Sequence, residues 1–230
     1  EVPAVESNGD ELVAVTGIAL NTKKLDMLVG GQAETLTVEV SPSNASDTTV
    51  IWESSDPSVA TVEDGVVTAV GMGVASISVK TADEVYEDVC EVTVWNSCGD
   101  DAKWRVENTS TLIIAGEGAI SDSASAVKQP WASVKAKITT VQIGSGITVI
   151  GKYAFAMFSK LESFEISEDS TLTEIAANAF MATAKLTEIY LPNTLNKIGD
   201  TNIASKNIHF GGTASELSLI HISEPTRRTP

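Results

Sequence analysis

The sequence predicts a mainly β chain in two parts: a sandwich of short antiparallel strands, then a solenoid of stacked repeats. Three observations carry this reading. From residue 13 to 95, apolar runs of four to six residues recur every eight to twelve residues between turn residues, the pattern of an antiparallel sandwich. Residues 147–166 and 172–191 align without a gap at an offset of 25, a period in the range of solenoid repeats. The texture changes near residue 97, so that a chain of 230 residues divides into two domains of ordinary size.

In the first part, "TLTVEV" (35–40) alternates, placing Leu36, Val38 and Val40 on one face. "SPSN" turns the chain into "VIWES", "DPS" into "VATV", "EDG" into "VVTAV" and "GMG" into "ASISVK". In the last strand Tyr86, Cys90, Val92 and Val94 share a face. Trp52 is expected to be the large core anchor, and Gly65 and Gly73 to supply the positive φ of tight turns. The series Trp52, Ser54, Ser55, Val59, Ala60, Val62, Gly65, Val67, Ala69, Gly73 and Ile77 resembles the pattern of bacterial immunoglobulin-like group 2 domains. The resemblance covers about 80 residues. It implies an immunoglobulin-like β-sandwich of the kind that serves as a stalk or adhesive module on surface and secreted proteins.

In the second part each repeat carries a strand of the form L-x-x-φ-x-φ, with φ apolar. It occurs as Ile138-Val141-Ile143, Leu161-Phe164-Ile166, Leu186-Ile189-Leu191 and Ser205-Ile208-Phe210, at offsets of 23, 25 and 19 residues. One unit cannot bury its apolar face alone, so successive units must stack. The "I-G…A-F…L-x-x-φ-x-φ" unit resembles the BspA-like leucine-rich repeat of bacterial surface proteins. "CGDDAKW" (98–104), "TLIIAGEGAISD" (111–122) and "PW" (130–131) resemble that family's N-terminal region. Phe158 and Thr183 stand where the family often has cysteine. The fold class is thus an immunoglobulin-like β-sandwich followed by a leucine-rich-repeat β-solenoid. The domains are expected at 13–96 and 97–216, after a linker at 1–12.

"IHFGGTASE" (208–216) resembles the ending common after the family's last repeat, with Leu217 in place of the expected tryptophan. From there "LSLIHISEPTRR" resembles the translation of a sequencing-library adapter, so residues 217–230 are read as foreign to the fold. Without Glu224, Arg227 and Arg228 the net charge of −16 becomes −17. "EVPAVESNGDE" has neither the basic start nor the apolar run of a signal peptide. The chain therefore reads as an internal fragment or mature form that continues beyond residue 216.

The acidic balance repels phosphates and anionic lipid, which argues against nucleic acid and membrane-surface partners, and no stretch approaches the ~18–20 apolar residues of a membrane span. Cys90 and Cys98 read as two free, buried thiols, because the strand after Cys90 carries the chain too far for Cys98 to return.

Catalytic constellations are missing from the pattern. Apart from His221, His209 is the one histidine available to a Ser-His or Cys-His pair, and no serine sits in a G-x-S-x-G elbow. Two cysteines and a histidine do not make a zinc site. The acidic loops at 63–65, 99–101 and 167–170 do not match a calcium loop. "GEGAIS" (116–121) and "GSG" (144–146) lack the lysine and helix of a phosphate-binding loop and read as turns. The expectation is a non-enzymatic chain with no cofactor and no metal.

What remains is a surface. In the repeat strands the third and fifth positions point outward, and stacking aligns them in columns. The third-position column is Thr140, Ser163, Glu188 and Asn207; the fifth, taken as the candidate ligand-binding set, is Gln142, Glu165, Tyr190 and His209. Mixed hydrogen-bonding groups beside an exposed tyrosine suit recognition of a host or neighbouring-cell surface protein or glycan. The expected function is adhesion or ligand binding, extracellular or at the cell surface. The alternative is an ancillary, non-catalytic region of a large secreted hydrolase.

Overall fold

The computed structural model describes residues 12–200, 207–212 and 221–222. The chain divides into two compact units, Glu1–Val94 and Trp95–Pro230.

The first unit runs β1 (Gly17–Leu20), β2 (Lys24–Leu28), β3 (Glu34–Thr35), β4 (Val38–Ser41), β5 (Val50–Ser54), β6 (Ala60–Glu63), β7 (Val66–Ala69), β8 (Gly73–Thr81) and β9 (Glu87–Ser97). One sheet has the order β5-β8-β9-β2; the facing strands are β6-β7-β3 and the pair β4-β1. Between them lies an aliphatic core of Leu20, Met27, Leu36, Val59, Val67, Ile77, Val79, Cys90, Val92 and Val94.

Two expectations change here. "TLTVEV" is not one strand: β3 pairs with β7, while β4 pairs with β1. The chain changes partner at Leu36-Thr37, where Leu36 N–H donates to the Gly65 carbonyl at 2.8 Å and Thr37 N–H to Asn21 Oδ1 at 3.0 Å. The side-chain alternation survives the switch, because Leu36 is buried and Val38 and Val40 are half-buried. Trp52 is half-buried and packs against the core rather than filling it. Its neighbour Gly65 explains the spacing. At φ +81 a Cβ there would lie 2.5 Å from the Leu36 carbonyl and 3.1 Å from the Trp52 ring, so only glycine allows this approach.

The serines of the W-x-S-S stretch have structural roles. Ser54 Oγ donates to the Ala60 carbonyl at 2.6 Å, and Ser55 Oγ accepts from Ser76 N–H at 2.8 Å, tying the end of β5 to β6 and β8.

In the second unit β10 (Asp101–Glu107) and β11 (Thr111–Ala119) form a hairpin, followed by a 3-10 turn (Lys135–Lys137) and the repeat strands β12 (Thr140–Ile143), β13 (Ile147–Ile150), β14 (Ser163–Ile166), β15 (Glu174–Ile175), β16 (Glu188–Leu191), β17 (Lys197–Ile198), β18 (Asn207–Phe210) and β19 (His221–Ile222). All the pairings among repeat strands are parallel, as stacked units require. Each full repeat supplies two strands. One ladder is β11-β12-β14, with β16-β18 as a separate pair; the other is β11-β13-β15-β17-β19.

Strand β11 starts both ladders. Thr111–Ile114 pair with β12, and Gly118 and Ala119 pair with β13. The bend between them falls at Gly116 and Gly118, at φ +89 and +81. These glycines were expected in a turn between strands; they lie inside one strand and redirect it.

A column of stacked rings, one from each of three successive units, runs through the core of the repeats. Trp131 stacks on Phe155 at 5.4 Å, and Phe155 stacks on Phe180 at 5.6 Å. Trp131 Nε1 donates to the Ala154 carbonyl at 2.8 Å, and Gln129 Nε2 donates to the carbonyls of Tyr153 and Ala156 at 3.0 and 2.9 Å. The "QPW" segment is thus the first repeat's equivalent of the later "AF" turns. The backbone repeats as well: Tyr153 and Asn178 have φ near +58, and Met157 and Ala182 φ +63 and +58. Phe158 and Thr183 are both buried, and Thr183 Oγ1 donates to the Phe180 carbonyl at 2.8 Å.

Ser205 and nearly all of residues 217–230 fall outside the described residues, including most of the segment read as adapter-derived. The exception is His221–Ile222, whose backbone pairs with Lys197 and Ile198.

Candidate ligand-binding face

The inward positions of the L-x-x-φ-x-φ strands are the buried ones: Ile138, Val141, Ile143, Leu161, Phe164, Leu186, Ile189 and Leu191. In β18 the same positions are more open, with Ile208 43% exposed. Period-two alternation then forces Gln142, Glu165, Tyr190 and His209 outward, and all four are exposed.

The register places them side by side in two pairs. Gln142 faces Glu165 across β12-β14, and Tyr190 faces His209 across β16-β18. Gln142 Nε2 donates to Glu165 Oε2 at 3.0 Å, and Ser163 Oγ donates to Glu165 Oε1 at 3.0 Å. The carboxylate is held on both oxygens while remaining open to solvent. The Tyr190 and His209 rings stack at 4.3 Å with an interplanar angle of 10°.

Between the pairs the uniform ladder expected from the sequence is interrupted. Among the described residues no strand pairing joins β14 to β16, and an open groove of about 350 Å³ lies there, lined by Glu162, Ser163, Phe164, Glu165, Ile166, Glu188 and Tyr190. Glu162 accepts from Lys185 Nζ at 2.7 Å. On the second ladder, Lys197 Nζ pairs with Glu174 Oε1 at 2.7 Å. The second ladder escaped the sequence reading, although its signal was present: Ile147-Ile150, Leu172-Ile175 and Leu195-Ile198 repeat at offsets of 25 and 23.

Cys90 and Cys98 are unpaired and buried. Burial raises both thiols, Cys98 to about 12, so neither supplies a thiolate nucleophile near neutral pH. No cluster of three or more His, Cys, Asp or Glu with metal-binding geometry occurs among the described residues. No helix among them is long and apolar enough to cross a membrane.

Residues 14–94 match the bacterial Ig-like domain (group 2), and residues 129–217 match six copies of the BspA type leucine-rich repeat region. The chain joins a group 2 bacterial Ig-like domain to a BspA-type leucine-rich repeat region. Both are domains of non-catalytic kinds. The Ig-like and BspA-type domains therefore correspond to the sandwich and the stacked parallel ladders in the order that the sequence predicts.

Among curated proteins, the chain is 44% identical over 85 residues to an Ig-like virion protein of Serratia phage KSP90, a match covering 36% of this chain and 33% of that protein. It is 45% identical over 69 residues to an uncharacterized protein of Clostridium acetobutylicum, covering 30% of this chain and 17% of the relative. The chain thus spans a third or less of these relatives. Among solved structures, it is similar to a leucine-rich repeat protein from Eubacterium ventriosum (TM-score 0.35, 16% identity, 50% of this chain and 43% of that one). It is also similar to a leucine rich cell surface protein from Faecalibacterium prausnitzii (TM-score 0.34, 15% identity, 58% and 45%).

Proposed function

We propose that this chain is part of a bacterial cell-surface or secreted protein that binds a ligand without catalysis, the BspA-type repeats serving as recognition module and the Ig-like domain as spacer. The observation that carries the reading is the outward set Gln142, Glu165, Tyr190 and His209, polar and aromatic side chains held side by side on two parallel strand pairs. A surface held by backbone ladders loses little conformational freedom on binding, and exposed tyrosine is a common energetic anchor of interfaces. The ligand class is a surface protein or glycan of a host or neighbouring cell.

The test is an array of glycans and matrix proteins probed with the full chain, followed by the Gln142, Glu165, Tyr190 and His209 quadruple alanine variant. Loss of the captured ligand with unchanged thermal stability supports the reading. Undiminished binding by the variant moves the site off this face.

A further inference from the structure

The open groove between β14 and β16 has a chemistry more specific than its surroundings. Tyr190 is 61% exposed, yet one face of its ring is covered by His209 on the β18 side. Tyr190 lines the groove together with Glu165, and the ring face away from His209 is the one left for a ligand there. Glu188 is on the same wall as Tyr190. Glu162, also on the groove wall, has a lysine partner; among the described residues no ion pair involves Glu165 or Glu188. Glu165 is instead oriented by the neutral donors Gln142 and Ser163, which fix the carboxylate without cancelling its charge.

An open aromatic face in a groove lined by two carboxylates without a lysine partner among the described residues is complementary to a planar cation. A guanidinium stacks on tyrosine while its forked N–H donors reach carboxylate oxygens in charge-assisted hydrogen bonds. We propose that this groove takes an arginine side chain from an extended basic segment of a partner protein. The proposal rests on the reading of this face as the recognition surface and names its partner chemistry. The chain's net charge of −16 adds long-range attraction for such a segment, and the groove supplies the local selectivity.

The probe is a seven-residue peptide alternating serine and arginine, acetylated and amidated, with a counterpart in which citrulline replaces every arginine. Citrulline keeps the planar shape and removes the charge. Binding to the full chain is measured by fluorescence polarisation at low salt, where charge effects are largest. The arginine peptide is expected to bind at least tenfold more tightly than the citrulline peptide. The Glu165→Gln/Glu188→Gln double variant is expected to weaken it at least tenfold, and Tyr190→Ala at least threefold. A Glu39→Gln/Glu63→Gln double variant makes the same change in net charge on the Ig-like domain and is expected to cost less than twofold. The proposal is overturned if the arginine peptide does not bind, if the citrulline peptide binds equally, or if the Ig-domain variant weakens binding as much as the groove variant. If the array ligand is lost from the quadruple alanine variant while both peptides bind alike, the face stands and the cationic preference falls.

Discussion

The indole of Trp131 lies almost parallel to the ring of Phe155, 5.4 Å away with 5° between their planes. Phe155 also meets Phe158, Phe164 and Phe180, so a single phenylalanine joins the first repeat to the next two. Replacing it should cost about 3–5 kcal/mol, the range for a buried aromatic truncated to alanine. Denaturation of the Phe155→Ala full chain, followed by tryptophan fluorescence, should show the repeat unit unfolding earlier. An Ig-domain transition followed separately should not move.

Trp52 is half-buried against an aliphatic core, so Trp52→Ala is expected to cost about 2–3 kcal/mol, less than a fully enclosed ring. Ile77, fully buried in that core, serves as comparison: Ile77→Ala should cost about 2–5 kcal/mol. Urea titration of both variants gives the order, and a larger loss at Trp52 would place its ring inside the core.

Asp88 links three segments of the sandwich. Its carboxylate accepts from Leu20 N–H and Val89 N–H, both at 2.7 Å, and from the Lys23 ammonium. Burial opposes the charged form, but the Lys23 and backbone hydrogen bonds outweigh it and hold the group below its ordinary value. A depressed carboxyl contributes stability above its unfolded pKa and loses it as pH falls through the folded one. Asp88→Asn should therefore lower stability at neutral pH by about 1–3 kcal/mol and flatten the loss of stability below about pH 4. A parallel acid limb in variant and parent would show that Asp88 does not drive it.

The β10-β11 hairpin turns through Asn108 and Thr109, both left-handed at φ +49 and +64, with Ser110 N–H donating to the Glu107 carbonyl at 3.3 Å. Asparagine tolerates that conformation, but a β-branched residue is strained there. Thr109→Gly should stabilise the repeat unit by about 1 kcal/mol, seen as a rise of a few degrees in its melting temperature. An unchanged or lower melting temperature would mean that the threonine is not strained.

Features set by side-chain periodicity were legible in the sequence. Alternation in "TLTVEV" and the phased L-x-x-φ-x-φ series gave the buried faces and the outward column, because burial follows directly from pleat geometry. What escaped depended on backbone partners that periodicity does not encode. The segment around Leu36 and Thr37 passes from one strand partner to another through hydrogen bonds to Gly65 and Asn21, and alternation reads the same whichever partner accepts it. Trp131 belongs to the aromatic stack of the repeats, yet its "QPW" setting differs from the later "AF" turns. The missing strand pairing between β14 and β16, where the candidate groove lies, leaves no trace in residue spacing.

The double use of β11 bears on how such an array can change over generations. Both ladders are keyed to one strand, so duplication of a whole 25-residue unit adds a rung to each side together and leaves the phase of all others intact. An insertion that carried only one of a unit's two strands would advance one side against the other and strand its apolar residues in water. Copy number, rather than gradual lengthening, is then the natural variable of this scaffold, and reach along a ligand grows in discrete steps.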